Sequence, residues 1–185
     1  MTQYYFYQTP GRASYAAVER QVKRDAAAFL RACCRRPPLA VRLVKNALGA
    51  PGVEGAPEIC VSYSHSGPYF AMALSTAPVG IDIEQRRPVN LAVARRFAPA
   101  EQDYVTCEGE RGFFALWTLK EAYLKLLGRG IAGGLASFSV VDAGRIKKCC
   151  RDHYLGSMWI SPSLCLGIAS DEGPVRPVQS QFVLL

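Results

Sequence analysis

Val79-Gly80-Ile81-Asp82-Ile83-Glu84 reads as a strand entered through Pro78, and its alternation decides how the surrounding chain folds. On an extended backbone, residues i and i+2 project from one face. Ile81 and Ile83 therefore point into a core, while Asp82 and Glu84 share the opposite face. Two carboxylates this close repel each other unless a cation sits between them, and hard oxygen ligands favour magnesium or calcium. On this segment alone, a solvent-facing acidic strand edge is an equally good reading.

Upstream, residues 69–75 form a second apolar strand, and residues 58–64 a third that runs into the loop Ser64-His65-Ser66-Gly67. Residues 4–8 are a short aromatic strand. Residues 15–34 are helical, with Val18, Val22, Ala26, Phe29, Leu30 and Cys33 at near-helical spacing. Pro37-Pro38 ends that helix, residues 39–44 suit a strand, and the glycines and prolines of 49–57 mark a loop. Downstream, Asn90 caps a short helix through Arg96, and residues 100–106 start another. A polar loop follows at 107–112, and residues 113–127 form the clearest helix, closed by Gly128-Arg129-Gly130. Residues 137–141 and 145–149 make a hairpin around Asp142-Ala143-Gly144, and 159–160, 164–169 and 182–185 add extended segments. Each half thus holds a helix and several strands. The expectation is an α+β fold of two similar small lobes, residues 1–77 and 78–185, sharing a cleft.

Composition narrows the function classes. The chain has 185 residues, 22 Lys plus Arg against 15 Asp plus Glu, and a net charge of +7. Such a surface suits an anionic partner, although a solvated basic face that aids solubility is the commoner meaning. The seven cysteines are odd in number, contain no CxxC pair for zinc, and include Cys165 between two leucines. Reduced, core-filling thiols in a cytoplasmic protein fit best. The first residues lack the basic and apolar regions of a signal peptide, and no apolar run approaches the ~20 residues of a membrane span.

Two further stretches carry chemistry. In Trp117-Thr118-Leu119-Lys120-Glu121-Ala122-Tyr123-Leu124-Lys125, the residues Trp117, Glu121 and Lys125 form one helical stripe. The plain reading is a surface Glu–Lys pair beside a core tryptophan. The functional one supplies a third carboxylate for a metal and two lysines for phosphate oxygens. Ser64-His65-Ser66-Gly67 offers hydroxyls and an imidazole to a phosphate. Taken alone it reads first as an ordinary turn, and without a GxSxG elbow it does not read as a nucleophilic Ser–His pair.

In order and spacing, Val61-Ser62-Tyr63-Ser64-His65-Ser66-Gly67, Val79 to Glu84 and Trp117 to Lys125 resemble the 4′-phosphopantetheinyl transferase superfamily. They are most similar to its larger single-chain branch, which activates polyketide and nonribosomal peptide synthetases. Ser137-Phe138-Ser139-Val140 matches the strand that follows in that family. The resemblance implies a pseudo-dimer with coenzyme A in the cleft between lobes. It implies magnesium on Asp82, Glu84 and Glu121, and coenzyme A phosphates on Ser64 and His65. Lys120 and Lys125 would hold the pyrophosphate, with Lys125 assisting the departure of adenosine 3′,5′-bisphosphate. The acceptor would be a serine of an apo acyl or peptidyl carrier protein, typically acidic, and the enzyme a monomer. Glu101 is the nearest match for an acceptor of the serine proton, with Asp103 beside it; a helix-start acid or a metal-bound water are the alternatives.

The chain departs from the family pattern in a short amino-terminal lobe and in lacking the Gly-Lys-Pro step, near which Gly55-Ala56-Pro57 stands. Arg12, Lys23, Arg24 and Arg42 are the candidates for holding a 3′-phosphate. The competing functions are a magnesium-dependent hydrolase of nucleotide pyrophosphates, a basic module binding RNA or an acidic protein, and a family member that binds coenzyme A without transfer. The basic module lacks a nucleic-acid motif and leaves the three carboxylates unexplained.

Overall fold

A computed structural model describes residues 1–10, 15–34, 41–46, 49–129, 134–175 and 182–185. The elements are β1 (Thr2–Gln8), α1 (Tyr15–Cys33), β2 (Leu43–Lys45), β3 (Pro51–Val53), β4 (Cys60–Ser66), β5 (Tyr69–Ser75) and β6 (Val79–Gln85). A 3₁₀ turn (Leu91–Arg96) leads to α2 (Pro99–Leu126). Then come β7 (Val141–Asp142), β8 (Arg145–Ile146), β9 (Cys149–Cys150), β10 (His153–Ser161), β11 (Leu164–Ser170) and β12 (Phe182–Leu184). The protein is a mixed α+β structure.

One sheet has the order β12-β1-β5-β4-β3-β2 and another the order β6-β11-β10-β9, with β7-β8 as a separate ribbon. The centres of the two large sheets share a connectivity. In each, the first strand is followed by a helix and pairs with the second strand of a later hairpin, giving β1-β5-β4 and β6-β11-β10.

Period-2 alternation sorts the side chains into three cores. Met72 and Leu74 of β5 pack with Val18, Phe29 and Leu30 of α1, whereas Ala71 and Ala73 turn the other way. There they meet Ile81 and Ile83 of β6 and Leu166 and Ile168 of β11, so the sheets pack face to face. The far side of β11, through Cys165 and Ala169, packs on Phe114, Leu119, Ala122 and Tyr123 of α2. The order is helix, sheet, sheet, helix. β11 is buried on both faces, which suits its near-continuous apolar sequence, and β6 is buried from Val79 through Ile83 although it carries Asp82.

Several sequence expectations need correction. The 49–57 loop contains β3, whose register comes from β2 and β4 rather than from local propensity. Ser64, His65 and Ser66 lie within β4, and the turn is confined to Gly67-Pro68. The 137–149 hairpin shrinks to two short pairs. The polar loop at 107–112 reduces to one non-helical residue, Gly109, at φ 61° and ψ −145°. That residue reverses α2. Glu101 and Lys120 are 19 positions apart, about 28 Å along a straight helix, yet their charged groups meet at 2.7 Å.

Candidate functional site

Close packing of α2 on β6 and β11 sets the position of the acidic groups. A Cβ on Gly80 would lie 1.8 Å from the Ala122 carbonyl oxygen, and one on Gly167 would lie 2.3 Å from Thr118 backbone atoms. Gly167 is the register partner of Asp82. With no side chain at these two points, α2 sits directly on the sheet and brings Glu121 alongside Asp82.

Both carboxylates are deeply placed, at 6% exposure for Asp82 and 9% for Glu121. Burial pushes the Asp82 carboxyl above its ordinary range, against the opposing pull of Lys125 and Ser64. Burial likewise raises Glu121, followed by repulsion from Asp82, with Lys125 acting in the opposite direction. Asp82 Oδ1 accepts from Ser64 Oγ at 2.6 Å and from Lys125 Nζ at 2.7 Å. The Lys125 amine also reaches the Ile81 carbonyl at 3.0 Å, tying α2 to β6. Glu84 is more open, and its Oε2 accepts from Ser66 Oγ at 2.6 Å and from Arg87 Nη1 at 2.6 Å.

Two carboxylate oxygens, Asp82 Oδ2 and Glu121 Oε1, are buried with no hydrogen-bond partner among the described residues. Orphaned acceptors of this kind are costly and need an explanation. A hard divalent cation is one that suits an all-oxygen donor set. As placed, however, no three acidic or imidazole groups among the described residues converge closely enough to hold a metal. Glu84 lies near enough to repel both Asp82 and Glu121, and its Oε2 is held by Ser66 and Arg87.

The serines of β4 stitch the free edge of β6. Ser62 Oγ accepts from the Ile81 amide and Ser66 Oγ from the Gln85 amide, each at 3.0 Å. This covers a strand edge that would otherwise lack partners. The Ser64 hydroxyl, expected on a phosphate, instead points at Asp82. His65 stacks on Phe70 at 5.5 Å and lines a cleft of about 540 Å³ with Gly67, Glu84, Arg86 and Arg87. A smaller cleft of about 230 Å³ is bordered by Pro51, Val61, Tyr63 and Lys125.

Glu101 and Lys120 lie elsewhere. Both are fully buried, and the Lys120 amine bonds both Glu101 oxygens at 2.7 Å and the Phe138 carbonyl at 2.9 Å. Glu101 further accepts from the Ala98 and Val140 amides. Lys120, expected on a pyrophosphate, is thus committed to an internal carboxylate, and Glu101, expected to receive a proton, has every oxygen engaged. Burial pulls the Lys120 amine below the usual lysine range, although Glu101 opposes this. Asp103 sits on the first turns of α2. Lys23 pairs with Glu19, Arg24 reaches Gln21, and Arg42 pairs with Glu54; Arg12 falls outside the described residues.

Sequence reasoning missed Ser62 and Arg87. The Ser-x-Ser-x-Ser alternation of residues 62–66 was the available signal for the first. Arg87 had none, because it reaches Glu84 from the irregular segment that follows β6. All seven cysteines are free thiols. No helix among the described residues is long and apolar enough to cross a membrane.

Residues 78–169 match the family model described as the 4′-phosphopantetheinyl transferase superfamily. The 4′-phosphopantetheinyl transferase psf-1 of Bacillus pumilus is 46% identical over 96 residues, covering 49% of this chain and 41% of that protein. The 4′-phosphopantetheinyl transferase Sfp of Bacillus subtilis strain 168 is 32% identical over 105 residues, 54% of this chain and 47% of its own length. The 4′-phosphopantetheinyl transferase gsp of Aneurinibacillus migulanus is 35% identical over 100 residues, 51% of this chain and 41% of its own. The chain therefore spans about half or less of the length of the relatives it matches. The match runs from β6 into β11 and encloses Asp82, Glu84, Glu121 and Lys125, and by it the chain belongs to the 4′-phosphopantetheinyl transferase superfamily.

Proposed function

We propose that this protein transfers the 4′-phosphopantetheine arm of coenzyme A to a serine of an apo acyl or peptidyl carrier protein. Adenosine 3′,5′-bisphosphate is released. The observation that carries this is the pair of orphaned oxygens, Asp82 Oδ2 and Glu121 Oε1, on neighbouring carboxylates that repel each other beside Lys125. Asp82, Glu84 and Glu121 are the residues that would hold magnesium. When bound, the ion supplies Lewis-acid polarisation of the pyrophosphate and a template for in-line attack.

The chain's own groups do the rest. Lys125, anchored on Asp82 and on the Ile81 carbonyl, presents positive charge to the leaving bisphosphate. His65, fixed by Phe70 at the mouth of the larger cleft, hydrogen-bonds a phosphate oxygen. Ser64 orients Asp82, and the Glu101–Lys120 pair braces α2 so that Glu121 stays opposite β6. Positioning and charge neutralisation supply most of the acceleration in phosphoryl transfer.

Residues 1–77 and 78–185 act as two related lobes, a reading supported by the shared β1-β5-β4 and β6-β11-β10 connectivity. Duplication in one chain lets a monomer build the whole cleft. The net charge of +7 suits an acidic carrier, and seven free thiols suit the cytoplasm.

The test separates transfer from hydrolysis. Coenzyme A and magnesium are incubated with the protein, with and without apo carrier protein, and adenosine bisphosphate is followed by chromatography. Release only with carrier present supports transfer. Equal release without carrier would make the protein a pyrophosphate hydrolase.

A further inference from the structure

Resting on the coenzyme A reading above, we infer that Tyr63 is the residue on which the purine of coenzyme A stacks, in register with a phosphate of the same nucleoside at His65. Tyr63 is the one exposed aromatic side chain among the described residues, at 42%. It belongs to none of the three cores. β4 presents two faces. Ser62, Ser64 and Ser66 turn toward β6, where their hydroxyls reach the Ile81 amide, Asp82 and Glu84. Val61, Tyr63 and His65 leave the opposite face. Val61 is buried with Val18 and Phe29, whereas Tyr63 and His65 are open. The strand thus runs out of the core carrying two rings in succession, ~7 Å apart. The Tyr63 carbonyl accepts from Lys125 Nζ at 3.3 Å, which ties the backbone under the first ring to α2.

The surroundings of the two rings differ in the way a nucleoside phosphate requires. The cleft lined by Tyr63 is walled by Gly49, Ala50, Pro51 and Val61, and Lys125 is the only charged residue along it. Gly49 has open space where a Cβ would stand, so this wall leaves room for a flat, uncharged base. The cleft lined by His65 holds Arg86 and Arg87 instead, the side chains best matched to phosphate oxygens. A base on Tyr63 and a phosphate at His65 are then separated by one ribose, the span that the strand sets. Lys125, at the edge of the Tyr63 cleft, meets the 5′ end of the same molecule, which is its place in the transfer described above. The pantetheine arm would also find apolar walls here. A base gains ring stacking in addition to burial, and Tyr63 supplies the face for it.

The test is calorimetric titration of the full chain, Tyr63→Ala and Tyr63→Phe with coenzyme A and with adenosine 3′,5′-bisphosphate, magnesium being present throughout. Tyr63 is exposed and outside the cores, so both variants are expected to keep the wild-type unfolding midpoint. Tyr63→Ala should weaken coenzyme A and adenosine bisphosphate by the same factor, about five- to a hundredfold, the range of one base on one aromatic ring. Tyr63→Phe should bind both within about twofold of the wild type, because the stacking face is kept. Weakening of coenzyme A with adenosine bisphosphate unaffected would assign Tyr63 to the arm and overturn the inference. Unchanged affinity of Tyr63→Ala for both would overturn it too, while leaving the coenzyme A reading in place. A wild type that bound neither molecule would bring down that reading and the role of Tyr63 together.

Discussion

Replacing Glu101 by Gln tests how the buried Glu101–Lys120 pair is used. Both side chains have 0% exposure, and the carboxylate accepts two contacts from the amine at 2.7 Å, one from the Val140 amide at 2.7 Å and one from the Ala98 amide at 2.9 Å. Glutamine keeps the shape but leaves the Lys120 ammonium buried with no counter-charge. Breaking a buried pair from one side costs about 3–5 kcal/mol, a large part of the ~5–15 kcal/mol that holds a domain together. Lys120→Met should cost a similar amount, because it strands the carboxylate instead. The double variant Glu101→Gln/Lys120→Met should recover part of the loss, since no charge then remains buried and the glutamine oxygen can still accept from one of the Ala98 and Val140 amides. Urea denaturation of the wild type, the two single variants and the double variant gives the coupling directly. Losses below about 1 kcal/mol with additive effects would refute the brace. So would Glu101→Gln folding with wild-type stability while losing turnover, the behaviour of a proton acceptor.

Three further outcomes follow from the packing. Gly80→Ala should destabilise by about 1–3 kcal/mol or more, as overpacking does, because its Cβ would lie 1.8 Å from the Ala122 oxygen; a denaturation midpoint at the wild-type value would contradict the contact. Gly109→Ala should cost about 1–3 kcal/mol, because φ 61° and ψ −145° suit glycine alone at the reversal of α2; thermal melts decide it. The Tyr7 hydroxyl donates to Asp25 at 2.7 Å, and burial, with that bond, raises its pKa well above the ordinary 10.0. Above pH ~10 the unfolded tyrosine loses a proton that the folded one keeps, so stability falls as pH rises. Tyr7→Phe should be less stable near neutrality by about 1.5–3 kcal/mol but should lose less between pH 8 and ~11, which paired urea curves would reveal.

Much of this architecture is legible from local pattern. β5 and β11 are near-continuous apolar runs, β6 alternates apolar and acidic residues, and α1 carries an apolar stripe of the right period, so sequence and structure agree there. Asp82 and Glu84 on one face, with Ile81 and Ile83 in the core, follow from strand geometry alone. What escaped local reading depends on distant partners. β3 is a strand only because β2 and β4 flank it. Ser64 and Ser66 look like parts of a turn because their hydroxyls, rather than apolar side chains, make the contacts. The reversal at Gly109 hides inside a polar helix, and without it Lys120 and Glu101 read as site residues instead of partners. Arg87 meets Glu84 from an irregular segment that no periodicity describes.

The most direct measurement of the central claim is intact-mass analysis of an apo carrier protein after incubation with this protein, coenzyme A and magnesium. The account predicts a gain of one phosphopantetheine unit on the carrier, lost with EDTA and lost in Glu121→Ala. A carrier of unchanged mass across acyl and peptidyl types, with the transferase shown to be folded, would contradict it.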